Sequence, residues 1–329
     1  MKLSIIGRPG CGRTTLFRAL AGNRDVDPSR PLTVKVPDQR LDFLAEVHRP
    51  GRTVNATVIF RDVPSPATAP RNLSASQDAA AMVLVVDNYA MGRPDRDMAE
   101  VETDLLVADL ALVEKRMERL AKESRRDAPE YAALERAGEY LSADSPLRSV
   151  DVPKADMKLL RAYSLFTLKP LLVVSNRGGE PASDETALAE LCAERGASLL
   201  PIDAGFEQEL AEIPREEHAE FLETMGYAAS GLDRLIAAAY STLDLVTFFT
   251  VGEDEVRAWP VRRGSTAPEA AGTIHSDMQR GFIRARVIPM EVFRECPDEA
   301  ELRNRGEIRL EGKDYVISEG DILEIRFNV

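Results

Sequence analysis

The sequence predicts an α/β chain built on a mostly parallel, doubly wound sheet, interrupted by a helical insertion and followed by a small β-rich domain. Three observations carry this. Short apolar runs that stop at a polar residue or a glycine recur through the first two-thirds of the chain, as buried parallel strands do when they deliver loops to one sheet edge. Charged amphipathic helix fills residues 97–168, and strand-like runs divided by turn signals fill residues 246–329.

In order, the buried runs are Leu3 to Ile6 before Gly7, Val54 to Phe60 before Asp62, Met82 to Val86 before Asp87, Leu171 to Val174 before Asn176, and Leu199 to Ile202 before Asp203. Helical stretches such as Thr14 to Leu20 and Glu185 to Glu194 separate most of them, the pattern of a doubly wound sheet with ligands at the strands' carboxyl ends. In the insertion, Leu106, Leu110, Val113, Met117 and Leu120 follow a 4-3-4-3 spacing. A second helix around Glu130 to Leu141 either folds back on that seam as a hairpin or lies with it on the sheet; the hairpin is the expectation.

The last part offers runs at Val246 to Val251, Val256 to Val261, Phe282 to Ile288, Tyr315 to Ser318 and Ile322 to Val329, with Thr266-Ala267-Pro268-Glu269 as a helix start. Strands flanking one helix predict a β-grasp domain. The expected division is 1–96 and 169–245 for the sheet domain, 97–168 for the insertion and 246–329 for the β-grasp.

Composition narrows the function. A net charge of −13 excludes a general nucleic-acid coat, so any RNA contact must be local. From Arg257 to Arg286 the arginines 257, 262, 263, 280, 284 and 286 face only Glu269 and Asp277, a local excess of +4. Arg257, Arg262, Arg263, Arg280, Arg284 and Arg286 are therefore the candidate RNA or partner surface, against the alternative of ordinary sheet decoration. Three scattered cysteines fit a reducing cytoplasm, and no apolar stretch reaches membrane-span length.

The motif with chemical content is Gly7-Arg8-Pro9-Gly10-Cys11-Gly12-Arg13-Thr14, after a strand and opening a helix. It fits GxxxxGK[ST] except that Arg13 stands for lysine. Such a loop cradles phosphate with backbone N–H groups and the positive end of the following helix. Cys11 is either a small residue in a tight turn, the preferred reading, or a redox-sensitive thiol. His48, His218 and His275 show no metal or triad spacing, and His275 reads as a structural hydrogen-bonding residue. Trp259 reads as a core or domain-contact residue.

The chain resembles the YchF subfamily of Obg-related P-loop GTPases over nearly its whole length. The matching segments include Val36-Pro37-Asp38-Gln39-Arg40-Leu41-Asp42, Glu102 to Lys115, Leu165-Phe166-Thr167-Leu168-Lys169-Pro170, Phe248-Phe249-Thr250-Val251-Gly252, Glu255 to Trp259, Gly272-Thr273-Ile274-His275, Arg280 to Ala285 and Glu311 to Tyr315. The resemblance implies a G domain interrupted by a helical hairpin and followed by a TGS domain. It also implies ATP or GTP as ligand and association with ribosomes or RNA through the hairpin and TGS surfaces.

Carried over, the phosphate loop falls on Gly7, Gly10, Cys11, Gly12, Arg13, Thr14 and Thr15, and Mg²⁺ on Thr14 and Asp62. The base-contacting positions fall on Asn176, Asp203 and Ala204. Several family features are altered. Ser65 replaces the glycine of DxxG, a proline-rich Pro64-Ser65-Pro66-Ala67-Thr68-Ala69-Pro70 replaces switch II, and the first switch is largely missing between Asn23 and Val36, with Thr33 a weak substitute. NxxE has Gly179 at its last position, with Glu180 one residue too far. Phosphoryl transfer depends on positioned charge, so slow hydrolysis or none is expected. The competing expectations are a nucleotide-independent scaffold and a slow ATPase or GTPase using Arg13.

Overall fold

The computed structural model describes residues 1–22, 24–69, 72, 76–89, 92–179 and 185–328, with the side chain of Arg215 excepted. Asn23, Pro70, Glu180 and Val329, which figure in the expectations above, lie outside the described residues. By internal contact the chain divides into two compact units, Met1–Val34 with Val58–Thr242, and Lys35–Thr57 with Leu243–Val329.

The first unit is built on a six-stranded sheet ordered β2-β4-β1-β5-β6-β7. Its strands are β1 (Lys2–Gly7), β2 (Leu32–Lys35), β4 (Thr57–Asp62), β5 (Ala81–Asp87), β6 (Leu171–Asn176) and β7 (Ala197–Ile202), with β3 (Arg52–Val54) belonging to the other unit. The pairs β1–β4, β1–β5, β5–β6 and β6–β7 are all parallel. Every residue of β6 is buried, and six of the seven in β5 are, as a strand covered on both faces requires. Register aligns Asp87 with Asn176 and Asn176 with Ile202, so the loops that leave β5, β6 and β7 emerge together. The expected Val54 to Phe60 strand is in fact two, broken at Asn55 and Ala56, because β3 pairs in a different sheet from β4.

Helix α1 (Arg13–Ala21) follows β1, and α2 (Gln39–His48) belongs to the second unit. The insertion is the hairpin of α3 (Pro94–Lys122) and α4 (Pro129–Ser142). Leu106, Val113 and Leu120 of α3 share a buried cluster with Leu134, Ala137 and Leu141 of α4, and Leu110 and Met117 pack at its edge. The 4-3-4-3 seam is thus the hairpin interface. On its other side α3 meets the chain's return to the sheet. Buried Asp109 accepts the backbone N–H groups of Phe166 (2.9 Å) and Thr167 (2.7 Å) and the Thr167 hydroxyl (2.7 Å). Buried Glu102 pairs with Arg148 at 2.5 Å.

The second unit has a mixed sheet ordered β11-β10-β12-β8-β9-β3. Strands β8 (Leu245–Val251) and β9 (Glu255–Arg262) form an antiparallel hairpin, and β10 (Phe282–Pro289) pairs antiparallel with both β11 (Arg309–Glu311) and β12 (Asp321–Phe327). Strand β12 runs parallel to β8, and the helix Ala267–Ile274 packs Ala267, Ala270 and Ala271 into the core with Phe248, Val287 and Leu323. This is the β-grasp arrangement. Glu269 accepts the Thr266 backbone N–H at 2.7 Å, capping that helix as its sequence predicts.

Two further features differ from expectation. The run Tyr315 to Ser318 makes only an isolated bridge through Val316 to Thr266, its chain bent so that Tyr315 and the Ser318 N–H both reach Asp321 at 2.8 Å. Residues 35–57, expected with the sheet domain, group with the C-terminal unit, because β3 pairs parallel with β9 and Phe43 and His48 of α2 pack on Phe293.

Candidate functional site

The loop from Gly7 to Thr14 turns sharply from β1 into α1. Gly12 sits at φ +88°, and a Cβ there would lie 2.1 Å from Asn176 Nδ2. At Gly7 a Cβ would approach the Val85 carbonyl oxygen to 2.5 Å and Cys11 Sγ to 2.7 Å. Glycine is required at both places by contact with neighbouring strands. As N-cap of α1, Gly12 provides no side-chain cap, and the first turn has no acidic residue. The Arg13 N–H is taken by the Cys11 sulfur, and the helix presents the next N–H groups, from Thr14 and Thr15, to an anion.

Asn176, at the end of β6, braces this loop. Its Nδ2 donates to the Cys11 carbonyl at 3.0 Å and its Oδ1 accepts the Ala204 N–H at 3.0 Å. One side chain thus ties the phosphate loop to the loop after β7. Asp203 caps the helix Ala204–Leu210 through Oδ1, which accepts from Gly205 and Phe206 at 3.0 Å each. Its Oδ2 lies 3.9 Å from where a Cβ on Gly179 would be. A carboxylate from position 203 therefore borders the space in which NxxE would place one from position 179.

Arg13 and Thr14 both converge on Asp62, from the end of β4. Arg13 Nε forms an ion pair with Asp62 Oδ1, Arg13 Nη1 donates to the Gly7 carbonyl at 3.3 Å, and Thr14 Oγ1 donates to Asp62 Oδ2 at 2.8 Å. The Arg13 and Asp62 side chains are only 15% and 5% exposed, so water screens this pair little. The residues expected to hold Mg²⁺, Thr14 and Asp62, are thus together, but the carboxylate is already matched by a guanidinium. The set does not fit a divalent ion unless Arg13 leaves. No group of three or more His, Cys, Asp or Glu side chains that could hold a metal ion exists among the described residues.

After Asp62 the chain is pinned. Buried Asn72 donates to the carbonyls of Pro64 (2.8 Å) and Pro66 (3.0 Å), and Ser76 donates to that of Ala67 (3.2 Å). Just beyond, Lys169 Nζ donates to the carbonyls of Ser76, Gln77 and Ala79 at 2.6–2.8 Å. A cleft of about 450 Å³ beside this stretch includes Arg8, Ser65 and Glu100 in its walls. Arg8 there is paired with Glu100 and Asp97.

Some site features lay beyond sequence reasoning. Tyr89, just after β5, donates its hydroxyl to the Gly10 carbonyl. Nothing local marks it, because the contact spans 79 residues. Burial pushes the Cys11 thiol up to about 11, which suits a packed turn residue. His275 caps the short helix Ser276–Arg280, its Nδ1 accepting the Asp277 N–H at 3.2 Å, and Trp259 Nε1 donates to Thr250 at 2.9 Å.

In the second unit, four of the six candidate arginines carry carboxylate partners. Arg257 lies 3.7 Å from Glu255 and stacks on Trp259, Arg263 pairs with Asp244 and Arg280 with Asp277, and Arg286 pairs with both Glu299 and Glu324. Arg262 and Arg284 are exposed without an ion pair among the described residues. Arg326, which the sequence did not single out, lies directly across the ladder from Arg284.

A parallel sheet whose first strand runs through a glycine loop into a helix, with an asparagine brace at the neighbouring strand end, defines a nucleotide-binding fold of the P-loop G-domain class. The model of the YchF-GTPase_C family, described as a protein of unknown function (DUF933), matches residues 245–328. The ribosome-binding ATPase YchF of Bacillus subtilis is 37% identical, over 99% of this chain and 98% of its own. That of Haemophilus influenzae is 35% identical, over 100% and 99%. The solved YchF GTPase of Schizosaccharomyces pombe superposes with a TM-score of 0.89 at 27% identity, covering 99% of this chain and 97% of that one. The chain belongs to the YchF family.

Proposed function

We propose that this protein binds a purine nucleotide, ATP or GTP, and acts as a cytoplasmic ribosome- or RNA-associated factor with very slow hydrolysis or none. The observation that carries the reading is the contrast at one site between an intact cradle and an occupied carboxylate. The glycine turn, the open helix N-terminus and the Asn176 brace supply what phosphate binding needs. The Arg13–Asp62 pair, the largely missing first switch and the pinned stretch after Asp62 remove what in-line attack by water needs.

The two relatives above are named ribosome-binding ATPases, which supports both the ligand class and the partner. Asp203 is the carboxylate for base discrimination in this reading, standing in for the absent side chain at Gly179. For RNA, Arg262, Arg284 and Arg326 are the relevant cations. Arginines directly opposed on adjacent strands repel, and a phosphate backbone between them relieves that.

The test has two parts. Calorimetric titration of nucleotide-stripped protein with non-hydrolysable ATP and GTP analogues should give saturable binding near micromolar Kd, while single-turnover hydrolysis stays at background. Co-sedimentation with ribosomes at low salt should weaken on Arg284→Glu with Arg326→Glu. A folded protein with no heat for either nucleotide would leave a scaffold that has lost its ligand.

A further inference from the structure

Resting on the nucleotide-binding reading, we infer that the Arg13 guanidinium is the built-in counter-cation of the site and takes the place of a divalent metal, so that nucleotide binds equally well without Mg²⁺.

Asp62 has two oxygens, and both are engaged from within the loop it serves. Oδ1 faces Arg13 Nε in an ion pair, and Oδ2 accepts the Thr14 hydroxyl at 2.8 Å. The Thr14 contact alone is compatible with a metal, because a hydroxyl that donates its proton keeps lone pairs for coordination. The Arg13 contact is not. A guanidinium stays ionised at any physiological pH and has no lone pair to offer, so it occupies the carboxylate as a cation and repels a second one.

Length and shape explain why arginine does this. Its guanidinium lies against the carboxylate as an ion pair, with Nε beside Asp62 Oδ1 but not hydrogen-bonded to it, while Nη1 donates to the Gly7 carbonyl at 3.3 Å and fixes the group over the loop. A lysine has one point charge on a flexible stem and cannot hold these two acceptors with separate nitrogens. Nη2 still has N–H donors to offer a phosphate oxygen in a charge-assisted hydrogen bond. The surroundings bring no cluster of three or more His, Cys, Asp or Glu side chains to the site among the described residues.

The deciding experiment titrates nucleotide-stripped native protein with non-hydrolysable ATP and GTP analogues, once in excess EDTA and once in Mg²⁺. Expected Kd values agree within about threefold, less than half a decade of affinity. In parallel, Mn²⁺ paramagnetic resonance should report no more bound metal in the protein–nucleotide complex than nucleotide alone accounts for. Arg13→Lys should free Asp62, making binding tighter by about tenfold or more with Mg²⁺ and adding a bound Mn²⁺ signal. Tightening of that size in the native protein, or a protein-bound Mn²⁺ signal from it, overturns the inference and leaves nucleotide binding intact. No binding in either condition instead sinks the nucleotide reading and this inference with it. The native measurements decide the matter even if Arg13→Lys fails to fold.

Discussion

Two stretches at the same sheet edge have fared differently, the loop Gly7–Thr14 and the segment that follows Asp62. The first depends on what the backbone can do, with glycines where neighbours approach and N–H groups left free at a helix start. The second, which in a switching protein must move, is held by Asn72, Ser76 and Lys169. Binding geometry survives substitution more readily than switching, because a cradle needs only shape whereas a switch needs two conformations of similar energy.

The most direct way to break this comparison is Gly12→Val. A side chain at φ +88° and 2.1 Å from Asn176 Nδ2 adds strain of about 1–3 kcal/mol and pushes aside the Asn176 brace that holds the loop. Analogue binding should fall by about a hundredfold or more by calorimetry. If it does not, the loop is not the binding element.

Asn176→Ala comes next, leaving the Cys11 carbonyl and the Ala204 N–H without partners. Urea denaturation should show a loss of about 2–4 kcal/mol. A loss under half that would mean the brace is dispensable.

The pinned segment is tested by Asn72→Ala, which releases the carbonyls of Pro64 and Pro66. Hydrogen exchange over residues 65–69 should quicken and stability fall by about 1–2 kcal/mol, with hydrolysis still at background because Arg13 still holds Asp62. Recovery of turnover in this variant would identify the pinning itself as the block. Asp203→Ala should move the ratio of ATP to GTP affinity by about tenfold, at a capping cost of about 1 kcal/mol. An unchanged ratio would remove Asp203 from base recognition.

A pH-dependent test concerns Lys169, whose ammonium burial lowers from 10.5 to about 8. Between those values the unfolded chain holds the proton more tightly, so stability should rise as pH climbs from about 8 to 10.5. Urea midpoints across that window should show the rise in native protein and lose it in Lys169→Met. A flat native profile would mean the three carbonyls offset the burial.

The parallel sheet, the hairpin seam, the β-grasp unit and the phosphate loop were legible in the sequence because each is a local pattern: a buried run, a 4-3-4-3 spacing, a strand–turn–helix motif. Thr266 and Glu269, three residues apart, announced their helix start in the same way. Pairings across long separations were not legible. Arg13 meets Asp62, Asn176 reaches back to Cys11, Tyr89 finds Gly10, and β3 leaves the segment before β4 to join β9. The arginine cluster shows the limit most plainly. Sequence counted six like charges against two, but folding brought Asp244, Glu255, Glu299 and Glu324 beside them and left Arg284 opposite Arg326. By itself the sequence determined the elements and the motif, since those depend on neighbours along the chain. Which charges cancel, and whether a carboxylate is free for a metal, only the tertiary structure decided, because Coulomb energy and hydrogen bonding depend on distance in space.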